Sequence, residues 1–324
     1  MKTLMKLAIC VGLLVLLPTV PAQAQLNGSH TLGDYGVQSG SQAHPGLYAG
    51  LFYYHYTTDT VKNGNGVQIQ PNPDQPGSVS LSAVAPLLYY VSKTKVLGAN
   101  YGAMIILAWA NGSLEAPGFG LSAPIGTAFG DMVIRPIELG WHSQRMDVTT
   151  GFQFYAPTGK YTDGATDNVG KGMWTYEPFV GATAYFDQKR TVSFATTAFW
   201  EVHGEKKDSA TKVGQILTLE GGLGKSYMGG GVVVGLAYYA QWKLTRDQVG
   251  LLVLPDGTKI TGILPNRHEV YAVGPDVTLP IASKSKLYAL VNVRYFWEFG
   301  ARSKTQGQTL TVMATFPIPS VKLH

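Results

Sequence analysis

Polar and apolar residues alternate along most of the chain with a period of two, the period of a β-strand whose two faces meet different surroundings. Between residues 174 and 186 the even positions are mostly apolar, whereas the odd positions include Thr175 and Glu177. The same alternation recurs at 191–202 and 287–298. Segments of about ten residues match the roughly 9–11 that a tilted strand needs to cross a bilayer. The pattern therefore predicts membrane-spanning strands.

Twelve such strands are expected, separated alternately by long and short connections. They lie near residues 46–57, 80–92, 98–110, 129–142, 146–155, 173–186, 190–202, 213–223, 231–243, 265–279, 287–298 and 308–316. The long connections, rich in Gly, Pro, Asn and Asp, are 58–79, 111–128, 156–172, 203–212, 244–264 and 299–307. Long external loops that alternate with short periplasmic turns are typical of a bacterial outer-membrane barrel.

We therefore predict an all-β fold, a transmembrane antiparallel up-and-down β-barrel of about 12 strands within a range of about 10 to 14. Strands in lipid must close on themselves, because unpaired backbone groups in hydrocarbon cost several kcal/mol each. Pro86, Pro136, Pro178 and Pro275 lie inside expected strands, where each removes a ladder donor and requires a bulge, a kink or a shorter strand. A large soluble β-sandwich or β-helix would also alternate and stays open at this point.

Composition favours the membrane barrel. Only 14% of the residues are charged, against about 25% in an average soluble domain. The chain has 39 glycines, 18 tyrosines and a single cysteine, which excludes a disordered chain and a disulfide scaffold. Aromatic residues such as Trp141, Trp174 and Trp200 lie near expected strand ends, where interfacial girdles belong.

The N-terminus resembles a secretory signal peptide. Lys2 and Lys6 precede an apolar run, and the small-residue site Ala22-Gln23-Ala24 follows it. The predicted domains are a signal peptide at 1–24, a periplasmic lead-in at 25–45, the outer-membrane barrel at 46–317 and a short extension at 318–324. Loss of the two lysines lowers the formal net charge from +5 to +3, so no nucleic-acid partner is expected.

Several ionisable and aromatic side chains are expected to face the lumen. The candidates for a solute path are Glu138, His142, Glu177, Phe179, Tyr185, Glu201, Glu220, Tyr239, His268, Arg294, Phe296 and Glu298; Phe199, Asp276 and Tyr288 are placed on the same face. One interpretation is a hydrogen-bonded barrel core that holds the strands in register. The other is a permeation path that favours an apolar or aromatic solute.

The sequence offers no pattern for catalysis or cofactor binding. A hydrolase would need a His and a Ser on one face of a strand, but His142 is followed directly by Ser143, which points the opposite way. The seven histidines include no pair at metal-ligand spacing. We expect no enzyme activity, no metal and no cofactor.

An ordered set of short motifs runs through the chain. They are Phe129-Gly130-Asp131, Pro136, Leu139-Gly140-Trp141-His142, Tyr155-Ala156-Pro157-Thr158-Gly159, Asn168-Val169-Gly170, Trp174-Thr175-Tyr176-Glu177-Pro178, Val273-Gly274-Pro275, Trp297-Glu298-Phe299-Gly300 and Thr315-Phe316-Pro317. In order and spacing they resemble the meta-pathway phenol-degradation family, also called the SphA-like family of outer-membrane transporters. The resemblance implies an outer-membrane barrel found near genes for aromatic degradation and thought to pass hydrophobic substrates.

The expected function is passive admission of hydrophobic, phenol-like small molecules through the outer membrane. The alternative is a non-transporting structural or surface-interaction barrel with a filled lumen. Barrels of this type usually end on an aromatic residue that the barrel-assembly machinery reads, and here Phe316 is followed by eight further residues. We expect Phe316 to be that assembly signal, and the partners to be the solute, outer-membrane lipid and the assembly machinery.

Overall fold

The computed structural model describes residues 26–69, 77–117, 121–228, 231–253, 259–265, 267–283 and 286–319. The predicted signal peptide and residues 320–324 lie outside these ranges. The strands are β1 (Gly46–Thr58), β2 (Ser78–Val96), β3 (Ala99–Ile106), β4 (Trp109–Ala116), β5 (Leu121–Phe129), β6 (Met132–His142), β7 (Met146–Ala156), β8 (Thr175–Tyr185), β9 (Val192–His203), β10 (Ile216–Tyr227), β11 (Val232–Lys243), β12 (Gln248–Val253), β13 (Lys259–Ile263), β14 (Glu269–Ala282), β15 (Leu287–Arg302) and β16 (Gln308–Ile318). No helix within these ranges is both long and apolar enough to cross a membrane.

Twelve of the strands close into an antiparallel barrel. The ring runs β1, β16, β15, β14, β11, β10, β9, β8, β7, β6, β3 and β2, and β2 pairs back onto β1. Closure gives every strand of the ring two neighbours, as a lipid-exposed sheet requires. The predicted fold and strand number are confirmed.

Burial follows the pleat of each strand. In β8 the side chains of Thr175, Glu177 and Phe179 are buried, whereas Tyr176 and Val180 are exposed. Large apolar side chains occupy the outer face of the other strands as well, with Leu51 at 47% and Leu236 at 58% exposure. Such an apolar outer surface is typical of a transmembrane β-barrel and accounts for the low content of charged residues.

One predicted loop is wrong. The sequence predicts a long connection at 111–128, but β4 and β5 form a hairpin over most of it. The reason is the length of β2, whose 19 residues extend beyond β3. Residues 78–84 of β2 pair with β4, so its projecting backbone groups are satisfied by an extension of the sheet. A second, separate hairpin, β12 with β13, lies within the predicted loop 244–264.

The four strand prolines leave the strand number unchanged. At Pro136 the register with β7 shifts between Ile134 and Ile137, which is a bulge. At Pro178 and Pro275 the ladder is interrupted on one side without a shift. Pro86 keeps its place opposite Leu51.

The sequence predicts a periplasmic lead-in at 25–45. In the structure residues 26–45, here called the luminal segment, lie inside the barrel. Leu26 packs against Met173 and Ile216 beside the long loops, while Ser41 donates to Asp147 Oδ2 at 2.9 Å beside a short turn. The segment therefore spans the lumen from the loop end to the turn end, where β1 begins. No strand ladder is offered to its backbone donors, so several of them donate to inward-facing carboxylates, and those of Ser39 and Ser41 donate to carbonyls of the segment itself.

Candidate functional site

The structure places most of the predicted lumen residues inside the barrel. Buried side chains are Glu138, Glu177, Phe179, Tyr185, Glu201, Glu220, Tyr239, His268, Phe296 and Glu298, together with Phe199 and Asp276. Arg294 is also internal, with 14% of its side chain exposed. His142 retains 27% side-chain exposure beside Asp147 Oδ1, 3.2 Å away, so it belongs to the rim of the barrel. A role of these residues in solute passage stays a prediction.

Tyr288 does not face the lumen as predicted. It is 49% exposed, whereas the next residue, Ala289, is 2% exposed. The ladder between β14 and β15 passes from Ala289 directly to Leu287. Tyr288 is therefore the extra residue of a bulge, and the alternation changes phase there.

Two fully buried carboxylates on neighbouring strands hold the luminal segment by its backbone. Glu201 Oε1 accepts from the amide nitrogens of Ser29 at 2.6 Å and His30 at 3.0 Å. Glu220 accepts from Gly33 at 2.8 Å and Tyr35 at 2.7 Å. Hydrogen bonds to a charged acceptor contribute about 1.5–3 kcal/mol each, so these four contacts fix the path of the segment.

His30 neutralises part of this acidic wall. Its Nδ1 lies 3.1 Å from Glu177 Oε2, and its Nε2 lies 3.3 Å from Glu220 Oε1, close enough for ion pairing although the second contact lacks hydrogen-bond geometry. Burial alone would lower the pKa of His30, but the two carboxylates raise it well above its ordinary value. The imidazole is therefore held in its charged form.

A second anchor lies further along the segment. Asp276 Oδ2 accepts from the Val37 amide at 3.0 Å and from Arg294 Nε at 3.0 Å. Arg294 Nη1 donates to the backbone oxygen of Asp34 at 2.7 Å. One buried ion pair thus binds the segment through both its amide and its carbonyl groups.

Glycines in the wall make room for the segment. A Cβ placed on Gly224 would come within 2.8 Å of Val37 Cβ, and one on Gly235 within 2.6 Å of Val37 Cγ1. A Cβ on Gly40 of the segment would lie 2.2 Å from the backbone of Ala182. Such contacts are closer than real Cβ atoms make, so part of the glycine excess serves this close approach.

An aromatic and cationic cluster surrounds Tyr35. The Tyr35 ring centroid lies 4.7 Å from that of Phe199, and the Phe179 ring centroid lies 5.7 Å from that of Phe199. The Arg135 guanidinium carbon is 4.7 Å from the centre of the Phe179 ring, and Arg135 Nη2 donates to the Tyr35 hydroxyl. His30 also contacts Phe199, with ring centroids 4.5 Å apart.

A second internal cluster joins Tyr239, Phe296 and Glu298. The Tyr239 ring lies 5.1 Å from Phe296, and its hydroxyl donates to Glu298 Oε1 at 2.9 Å. Tyr56 donates to the other carboxylate oxygen at 3.0 Å. Gly33, with φ of 86°, passes so close that a Cβ would lie 2.7 Å from the Phe296 ring. These predicted lumen residues therefore form the wall against which the segment packs.

The residues that sequence reasoning missed are the luminal segment, above all His30 and Tyr35, and Arg135. Strict alternation with Glu138 places Arg135 on the outer face, but the bulge at Pro136 turns both inward, with 5% and 4% exposure. Pro136 is the feature of the sequence that indicates this bulge. Among the side chains that the structure describes, no three His, Cys, Asp or Glu converge as metal ligands.

Comparison with known proteins agrees with this architecture. Residues 48–314 match the family model described as "Putative MetA-pathway of phenol degradation". No curated protein sequence gives a significant match. The crystal structure of the COG4313 outer membrane channel from Pseudomonas putida F1 superposes with a TM-score of 0.71 at 12% identity, covering 89% of this chain and 100% of that one.

Two other solved barrels are more distant. The translocator domain of the autotransporter NalP from Neisseria meningitidis has a TM-score of 0.47 at 11% identity, over 86% of this chain and 90% of that one. The TodX deltaS2S3 mutant monoaromatic hydrocarbon channel has a TM-score of 0.46 at 11% identity, over 85% and 90%. The closed twelve-strand ring and its apolar outer face are those of an outer-membrane β-barrel. With most of its length matched by the family model, the chain belongs to the phenol-degradation pathway family that the sequence motifs resemble.

Proposed function

We propose that this barrel admits small hydrophobic solutes, phenol-like aromatics among them, passively across the outer membrane. The observation that carries the proposal is the internal cluster of Tyr35, Phe179 and Phe199 beside Arg135, because clustered aromatic rings with one polar group suit a small aromatic molecule. Membership of a family named for phenol degradation supports this solute class. The similar structure from Pseudomonas putida is itself described as a channel.

The luminal segment must move for a solute to pass through the barrel. Within the described part of the chain, residues 26–45 share no ladder with any strand. They are held by side-chain carboxylates and by packing, so their release would leave the twelve-strand ring intact. A segment with this attachment can act as a gate, because its opening breaks a limited number of hydrogen bonds and no β-pairing.

Solute uptake into vesicles with a lipopolysaccharide outer leaflet tests the proposal, because such a leaflet slows the passage of phenol through the lipid itself. Vesicles that contain the barrel should take up phenol faster than protein-free vesicles and should not gain permeability to a hydrophilic solute of similar size, such as glycerol. Equal phenol uptake with and without the barrel would contradict the proposal.

A second candidate is a non-transporting barrel whose outer loops 58–79, 156–172 and 244–264 contact other surfaces. The filled lumen favours it, since the segment's contacts with Glu201, Glu220 and Asp276 are those of a stable core. Conductance separates the two candidates. A structural barrel stays closed both in the wild type and after the Glu220→Gln substitution, whereas a gated channel conducts more after it.

A further inference from the structure

Tyr35 carries the only described phenol ring of the luminal segment, and the barrel wall receives that ring as a binding site would. Phe199, fully buried, packs against it with centroids 4.7 Å apart at 48°. The guanidinium carbon of Arg135 lies 5.9 Å from the ring centre. The hydroxyl accepts a hydrogen bond from Arg135 Nη2. The wall thus recognises a phenol ring in three ways: the Phe199 ring packs against it, the Arg135 cation lies over it, and Arg135 Nη2 donates a hydrogen bond to its oxygen.

The donor is fixed in place before any ligand arrives. Arg135 Nε and Nη2 donate to Gln153 Oε1 at 2.9 and 2.6 Å, and Nη1 donates to Glu138 Oε2 at 2.7 Å. Tyr89 in turn donates to the other oxygen of Glu138 at 2.6 Å. Arg135 therefore presents Nη2 in a set direction, and a preorganised donor discriminates between ligands that hold an acceptor there and ligands that do not.

The surrounding charge narrows the ligand class further. Arg135, which meets the phenol oxygen, is already paired with Glu138 Oε2 at 2.7 Å. A carboxylate ligand such as benzoate would bring a second negative charge next to Glu138, whereas a neutral phenol would bring none. Burial raises the pKa of the Tyr35 hydroxyl, so the resident group is itself a neutral phenol.

Tyr35 is also displaceable. It is half-buried, unlike Phe199 and Phe179. Among the residues that the structure describes, its own backbone is bonded to the wall through its amide, which donates to Glu220 Oε2. Gly33, at a positive φ of 86°, and Gly36 flank it. Departure of the ring therefore needs rotation of a short glycine-bounded stretch and breaks no ladder.

We propose that Tyr35 is a tethered occupant of a binding site for neutral phenols, formed by Phe199, Phe179 and Arg135, and that a free phenol enters by displacing it. This inference rests on the proposed function and specifies its solute and its gate. Displacement of Tyr35 couples occupancy of the site to release of the luminal segment. The resident ring keeps the barrel closed when phenol is absent.

The first test measures phenol binding to the detergent-solubilised barrel by calorimetry, for the wild type and for Tyr35→Ala. Removal of the competing ring should tighten phenol binding at least about tenfold, and the variant should prefer phenol over benzene by about tenfold, the worth of one hydrogen bond to a charged donor. Phe194→Ala is the control, because it removes a ring from the outer face of the barrel, where Phe194 is 42% exposed, and it should change neither the phenol affinity nor the preference for phenol over benzene. Equal affinities of wild type and Tyr35→Ala, or equal affinities for phenol and benzene, would overturn the proposal.

A second test keeps Tyr35 and so does not depend on the folding of the variant. Ser39 is 8% exposed, and Ser39→Cys in a chain with Cys10→Ala gives a single thiol that reports release of the segment. Phenol should accelerate modification of this thiol by maleimide, and benzene should not. An unchanged rate would contradict displacement.

The two proposals fail separately. Phenol binding at the Tyr35 cavity without vesicle uptake would refute transport and leave the binding site standing. Vesicle uptake without phenol-specific binding at this cavity would refute the site and leave transport standing.

Discussion

His30 Nδ1 lies 3.1 Å from Glu177 Oε2, and both side chains are buried within the lumen of the barrel. This pair joins a segment that is not part of the sheet to the wall of the sheet. Because Glu220 approaches the other ring nitrogen, one charged imidazole holds two strands and the luminal segment together. The state of this histidine therefore controls how firmly the segment is docked.

Docking should weaken at alkaline pH. The carboxylates raise the pKa of His30 in the folded protein. The charged imidazole therefore contributes fully to docking of the segment below about pH 6.5, the ordinary pKa of histidine, and this contribution is lost as the pH rises through the raised pKa. Maleimide modification of Ser39→Cys, followed from about pH 6 to about pH 10 and corrected for the reactivity of a free thiol, should accelerate over that range. His30→Gln should remove the transition. A corrected rate that is the same in both backgrounds at every pH would contradict this role.

Glu220→Gln should loosen the segment. The carboxylate accepts from two backbone amides, and loss of its charge weakens each bond by about 1 kcal/mol. We expect higher conductance and faster modification of Ser39→Cys. Glu269→Gln is the matched control, because that carboxylate pairs with Arg302 at a rim position where Arg302 is 60% exposed. Equal effects of the two substitutions would show that general destabilisation, not release of the segment, is measured.

The substitution Gly224→Ala should displace Val37. The three nearest heavy atoms to the new Cβ all belong to Val37, from 2.8 Å, so the strain falls on the segment and costs about 1–3 kcal/mol of docking free energy. Val37→Gly in the same chain should restore docking, measured again through Ser39→Cys. Additive rather than compensating effects would place the strain in the barrel wall.

Much of the barrel follows from alternation alone, and its failures have local causes. The expected strand at 173–186 became β8 with the predicted inward face, because nothing interrupts its pleat. Pro136 and Tyr288 sit at bulges, each of which changes the phase of the alternation and reverses the faces beyond it. The luminal segment has no period to detect, since glycine-rich irregular chain takes its path from partners such as Glu201 and Glu220, which are distant in sequence.

Phe316 remains a predicted assembly signal. It lies in the last strand, opposite Ala49, and is 43% exposed. Phe316→Ala should lower the amount of heat-modifiable folded barrel in cells, whereas Phe186→Ala, an equally apolar change at a 62% exposed position, should not. Deletion of 320–324 leaves β16 complete, and we expect normal assembly. A loss of folded protein on that deletion would assign the signal to the tail.

A reversible cross-link between the luminal segment and the barrel wall tests whether phenol needs release of the segment to pass. The hydroxyls of Ser29 and Thr175 lie 2.8 Å apart, so Ser29→Cys with Thr175→Cys places two thiols where a disulfide can join the segment to β8. Phenol uptake by vesicles that contain this variant should be abolished on oxidation and restored by a reductant, while each single variant is indifferent to both. Uptake that continues unchanged in the oxidised, cross-linked protein would show that phenol passes without release of the segment.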